Sequence, residues 1–193
     1  MSKKKWRKLK EFVAREMAAK RIPGVAVGLW YKGKRRTAGF GVTNLDHPLP
    51  VTDTTLFQIG SITKTFTALA VMQLVEKGQV ELDQPVRSYL PDFQTADEAT
   101  AVTITVRHLL THMAGWDGDL FQGTGWGEEA LPRYAALIAE QSQTVPPDTH
   151  FSYNNAAFSL AGYLIEKVTG QSYETVIGEQ ILTPLGMDAA FFD

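Results

Sequence analysis

Gly60-Ser61-Ile62-Thr63-Lys64-Thr65-Phe66 (GSITKTF) opens an apolar run that continues to Gly78. The run carries Ile62, Phe66, Leu69, Ala70, Met72, Leu74 and Val75 on nearly every side. Its length predicts a helix over Ser61–Lys77, stopped by Gly78. A helix hydrophobic almost all round belongs at the centre of a domain. Ser61 and Lys64, three residues apart, project from neighbouring positions on one face. A serine hydroxyl is a weak nucleophile until an adjacent base takes its proton. Lysine can be that base when burial lowers its pKa from ~10.4 towards ~7–8. Ser61 in the first turn also meets the positive end of the helix dipole, which favours negative charge developing there. The plainer reading makes Ser61 a cap and lets Lys64 snorkel to solvent. Against it, Lys64 stands alone in a helix whose next charge is Glu76. An isolated lysine in such a place is either costly or useful.

Outward from this helix the chain divides into further elements. Trp6, Leu9, Phe12, Val13 and Met17 mark one face of an N-terminal helix over residues 6–20, ended by Pro23-Gly24. Val25–Tyr31 and Arg36–Val42 read as strands joined by Lys32-Gly33-Lys34-Arg35. Residues 43–57 are irregular. Thr105 is placed to cap a short helix over Val106–His112, closed by Gly115. Residues 115–129, rich in Gly, Trp and acids, read as a surface loop. Leu131–Gln141 is helical, and Pro146-Pro147-Asp148 makes a turn. Asn155 is expected to cap a last long helix running through Val168, with Gly170 at its end.

Composition narrows the chemistry. The 193 residues fit one domain, and 44% hydrophobic content is enough for a core. There are no cysteines, which excludes disulfides, thiolate zinc sites and cysteine nucleophiles. The net charge of −2 hides an asymmetry: residues 1–40 hold 13 of the 19 Lys and Arg against only Glu11 and Glu16. That basic head reads as a solvated amphipathic helix lying against an acidic body, ahead of a nucleic-acid surface formed by residues 3–36. No apolar run reaches the ~18 residues of a membrane span. The stretch after Lys10 is broken by charges, so no signal peptide is read and a cytoplasmic location is expected.

A second constellation lies about ninety residues beyond Ser61. Phe151-Ser152-Tyr153-Asn154-Asn155 leaves the Pro-rich turn and enters the last long helix. A Tyr-x-Asn on a loop can aim a phenol and an amide the same way, as proton shuttle and hydrogen-bonding clamp. Together, Gly60-Ser61-Ile62-Thr63-Lys64 and Tyr153-Asn154-Asn155 resemble the serine β-lactamase and penicillin-binding-protein superfamily. The branch most resembled is that of class C β-lactamases, D-alanyl-D-alanine carboxypeptidases and related esterases. Ile22–Val27, Leu82–Val86, Ile104–His112 and Pro184-Leu185-Gly186-Met187 extend the resemblance along the chain.

The resemblance implies an α/β (α+β) fold of β-lactamase/transpeptidase type, here a mostly helical region plus an N-terminal β-hairpin of an incomplete antiparallel sheet. It implies Ser61 as acylated nucleophile, with its backbone N–H as half of an oxyanion hole. Lys64 and Tyr153 would share the acid–base work, and Asn155 would orient Lys64 and the substrate. No cofactor is implied. His108 and His112 lack the glutamate of a zinc-protease helix, and no metal site is read there.

Two departures touch no chemistry: Met113-Ala114-Gly115 after His112, and Asp148 where the family turn carries glycine, a left-handed position aspartate tolerates less easily. A third is more serious. The family's Lys- or His-Thr/Ser-Gly strand motif is missing, since Lys167-Val168-Thr169-Gly170 has one residue too many and ends a helix. Residues 1–193 are therefore expected to be the N-terminal portion of a single β-lactamase-like domain, completed by a C-terminal segment, a second chain or strand exchange in an oligomer. The expected activity is serine hydrolysis of a small-molecule ester, amide or peptide, with esters and peptides ranked above β-lactams because no export signal is visible. The alternative is a non-catalytic penicillin-binding or sensor module of the same fold.

Overall fold

The computed structural model describes residues 1–116, 120 and 122–192. The chain forms two compact units, Met1–Gln58 and Ile59–Asp193.

In the first unit, helix α1 (Lys3–Lys20) begins at Ser2, whose side chain accepts the Lys5 N–H at 3.3 Å. It ends at Arg21, which takes a left-handed φ of 55°. Of its residues only Met17 is buried, so the basic helix is largely solvated. Strands β1 (Gly24–Tyr31) and β2 (Lys34–Gly41) pair antiparallel in a register from Gly24↔Gly41 to Tyr31↔Lys34. The expected four-residue connection is shorter. Lys32 and Gly33 alone make the turn, both at positive φ, as a two-residue hairpin that follows the strand twist requires. Gly39 is needed where it stands, because a Cβ there would lie 2.1 Å from the Val51 carbonyl oxygen. This pair of strands is the whole sheet among the described residues.

The second unit is helical. A 3₁₀ turn over Gly60–Ile62 leads into α2 (Thr63–Glu76), so the run predicted as one helix starts with a tighter turn that carries Ser61. Four short or medium helices follow: α3 (Glu98–Ala101), α4 (Val106–Thr111), α5 (Ala130–Ile138) and, after the central helix, α7 (Tyr173–Ile177). The central helix is α6 (Asn155–Thr169), which buries Ala156, Ala157, Leu160, Ala161, Gly162, Leu164 and Ile165. Small residues on two sides of α6 let its neighbours approach closely. Helix α2, expected at the centre, has one side covered by these residues. There only Thr67, Ala70, Val71 and Leu74 are buried, one stripe at helical spacing, while Leu69 and Met72 each remain 43% exposed.

Caps explain the boundaries. Thr105 accepts the His108 N–H, and His108 Nδ1 accepts the Thr105 N–H at 3.2 Å, a reciprocal capping box at the start of α4. Arg87 holds Glu98, and Arg107 holds Asp83, each through two parallel hydrogen bonds of 2.6–2.8 Å. At α6 the cap is Asn154, not Asn155: Asn154 Oδ1 accepts the Ala157 N–H at 2.9 Å. The surface loop expected over residues 115–129 is corrected at its start. Trp116 is 1% exposed and packs on Phe93, because Gly115 at φ 82° lets the chain run against Val145. Trp126 further on is exposed; Asp117–Asp119 and Phe121 lie outside the described residues. No helix among the described residues is long and apolar enough to cross a membrane.

Candidate active site

Four predicted residues meet at one end of the α2–α6 interface. Gly60, at φ 51°, turns the chain so that Ser61 sits in the 3₁₀ turn with its side chain exposed. Lys64, one turn on, brings its Nζ to 3.3 Å from Ser61 Oγ. Tyr153, on the loop before α6, places its hydroxyl 2.7 Å from the same oxygen. Asn155, in the first turn of α6, accepts a hydrogen bond from Lys64 Nζ through Oδ1. The asparagine doublet divides the work. Asn154 closes the helix end, which leaves the Asn155 side chain to face α2.

Lys64 is half-buried rather than buried. Its Nζ lies 4.8 Å from the ring centre of Tyr153 and 5.6 Å from that of Phe158. Aromatic faces and an amide oxygen are good company for an ammonium. Ser61 Oγ thus has two proton-carrying neighbours. The Ser61–Tyr153 pair can also run in the reverse sense, with Ser61 donating to the phenol oxygen, and the Ser61–Lys64 pair can do so when Lys64 is the free amine.

A cleft of about 380 Å³ runs from this cluster between the two helices. Ser61, Lys64 and Thr67 line one wall, and Asn155, Ser159 and Gly162 the other. At its far end Tyr173 shares a 2.7 Å hydrogen bond with Thr67, and burial pushes the Tyr173 phenol above its ordinary range. No group of three or more His, Asp or Glu side chains among the described residues could hold a metal ion. His108 and His112 do other work. His108 closes the capping box, and burial holds its imidazole below the usual histidine range.

His112, singled out in the sequence only to set a metal site aside, stands beside the site. Its ring centre is 4.5 Å from that of Tyr153. Local spacing carries no signal of this contact, because about forty residues separate the two.

The β-lactamase family profile matches residues 9–193. The chain belongs to that family. Among curated relatives, penicillin-binding protein 4 of Amycolatopsis lactamdurans is 37% identical over 86% of this chain and 44% of its own length. The unguisins hydrolase of Aspergillus campestris is 34% identical over 88% of this chain and 33% of its own. Among solved structures, the octameric penicillin-binding-protein homologue from Pyrococcus abyssi superposes with a TM-score of 0.79 at 37% identity, covering 94% of this chain and 43% of that one. The fold is therefore that of β-lactamases and penicillin-binding proteins, a family of serine hydrolases and their relatives. The chain spans less than half the length of these relatives.

Proposed function

We propose that Ser61 is the nucleophile of a serine hydrolase that works through an acyl-enzyme on a carboxylic ester or an amide. The observation that carries this reading is the position of Ser61 Oγ, within hydrogen-bond reach of both Lys64 Nζ and Tyr153 Oη. In acylation, Ser61 Oγ bonds to the substrate carbonyl carbon while its proton passes to Lys64 as the free amine, directly or relayed through the Tyr153 hydroxyl. The tetrahedral centre then collapses, the bond to the leaving alcohol or amine breaks, and the same pair returns a proton to that group. In deacylation, water gives its proton to the pair, its oxygen bonds to the acyl carbon, and Ser61 leaves with its proton restored. Asn155 holds Lys64 in place through the cycle.

Residues 1–193 fit the N-terminal portion of a single β-lactamase-like domain. A two-stranded sheet is marginal alone, and the exposed Leu69 and Met72 face of α2 offers apolar surface for further strands. Such strands would come from a longer chain, a second chain or exchange within an oligomer. A second reading, a penicillin-binding or sensor module of the same fold without turnover, draws on the likeness to penicillin-binding protein 4 of Amycolatopsis lactamdurans.

The two are separated by p-nitrophenol release from p-nitrophenyl acetate. A hydrolase releases many equivalents per chain. Release that stops at one equivalent supports the sensor, and release that does not require Ser61 overturns both.

A further inference from the structure

Tyr153 sits on a loop and is 45% exposed, a poor anchor for a hydroxyl that must lie 2.7 Å from Ser61 Oγ. His112 holds the backbone on both sides of it. His112, the C-cap of α4, takes a left-handed φ of 60° that turns its carbonyl and its ring together toward the loop. The His112 carbonyl accepts the Ser152 N–H at 3.0 Å, and its Nδ1 accepts the Asn154 N–H at 3.1 Å. These are the residues immediately before and after Tyr153. Between the two hydrogen bonds the imidazole lies against the Tyr153 ring, with centroids 4.5 Å apart and planes tilted by 36°. Phe151 and Phe158 close round the same imidazole, at 5.6 and 5.1 Å.

We propose that His112 is a positioning residue that fixes Tyr153 against Ser61, gripping the backbone on both sides of the tyrosine and stacking on its ring. This rests on Ser61 and Tyr153 acting as described above. The hydrogen bond to Asn154 requires an unprotonated Nδ1, which makes the neutral imidazole the Nε2–H tautomer. His112 touches neither substrate nor reacting atoms in this scheme; its effect on acylation is assigned to Tyr153, and the cycle below separates that route from one through Asn154 or Phe158. The contacts also give α4 a functional part. Its capping box at Thr105 fixes the phase of a short helix whose other end holds the tyrosine loop.

The test is a double-mutant cycle on the acylation rate with p-nitrophenyl acetate. His112→Gly keeps the left-handed backbone free of strain and removes both ring and acceptor. His112→Asn tolerates the same backbone and puts an acceptor oxygen where Nδ1 stood. The glycine variant is expected to acylate ~10–10²-fold more slowly, the scale of a misplaced catalytic group. The asparagine variant should recover most of that loss. In a Tyr153→Phe background neither change should matter by more than about twofold, the limit within which independent effects are distinguished. Equal losses in both backgrounds, or no recovery with asparagine, would make His112 an ordinary structural residue and overturn the proposal. If Tyr153→Phe itself leaves acylation unchanged, it is the hydrolase reading that fails. A readout independent of any variant is the ¹⁵N spectrum of the wild-type imidazole. It should show the Nε2–H tautomer, and a proton on Nδ1 overturns the proposal even if the glycine variant does not fold.

Discussion

Replacing Tyr153 by phenylalanine removes one oxygen atom and leaves the ring, with its contacts to His112 and Lys64, where it was. Two roles for that oxygen predict different magnitudes. If it only orients Ser61 through the 2.7 Å hydrogen bond, its loss costs the net value of one neutral hydrogen bond. That value is ~0.5–1.5 kcal/mol, or about tenfold in rate at most. If it carries the proton between Ser61 and the leaving group, the loss is ~10²–10⁴-fold, about 3–5 kcal/mol of barrier. The second outcome is expected. The assay is stopped-flow release of p-nitrophenol with the protein in excess over p-nitrophenyl acetate, so that only acylation is observed. The tyrosine is nearly half exposed, and such substitutions stay within ~0.5 kcal/mol of stability. The melting temperature should therefore move by no more than ~2 °C. A rate within tenfold of wild type, with the fold intact, would refute the proton-transfer role.

Lys64→Met keeps the aliphatic stem in its half-buried place and deletes the group that bridges Ser61 and Asn155. Acylation is expected to fall ~10²-fold or more while the melting temperature barely changes. A large drop in melting temperature with retained rate would make Lys64 structural. Acid should loosen α4, because the folded state disfavours protonated His108. With its folded pKa below the unfolded ~6.5, His108 contributes stability that is full above that pH and lost as pH falls through the folded value. Glu166, pushed up by burial, acts in the opposite sense. The check is therefore a comparison with His108→Gln, which keeps the capping-box acceptor without titrating. The variant should lose less melting temperature than wild type on acidification to about pH 5, and an equal loss would refute the linkage. Asp148 occupies a φ of 64°. Asp148→Gly should be tolerated, whereas Asp148→Val should cost at least ~1–2 kcal/mol, read as a lower melting temperature; indistinguishable melts would contradict that.

The parts of this fold legible in the sequence are those set by local chemistry. The Ser61–Lys64 spacing needs only a helical turn to bring the two side chains together. Thr105 announced a helix start, and the family resemblance marked Asp148 as standing where the turn carries glycine, in keeping with its φ of 64°. What the sequence withheld depends on tertiary packing. An all-apolar helix gives no sign of which face these residues cover or how far Lys64 is buried. Within residues 1–193 the most deeply packed helix is α6, α2 buries one stripe and Lys64 is half-buried. Asn154 and Asn155 are equally good caps by composition, and only the phase of α6 decides between them. Trp116 looked like loop because its neighbours are Gly and Asp. Its burial depends on the chain near Val145, about thirty residues away. His112 stayed hidden for the same reason, since its contacts to Ser152, Tyr153 and Asn154 are all distant in sequence.

The central claim is that Ser61, activated by Lys64 and Tyr153, is the group that becomes acylated. It is tested most directly by intact-mass measurement after incubation with a fluorophosphonate, followed by peptide mapping of the adduct. One adduct per chain is expected, located on the peptide containing Ser61, absent from Ser61→Ala and formed markedly more slowly in Lys64→Met and Tyr153→Phe. An adduct on another residue, or equal labelling of Ser61→Ala, would contradict the assignment.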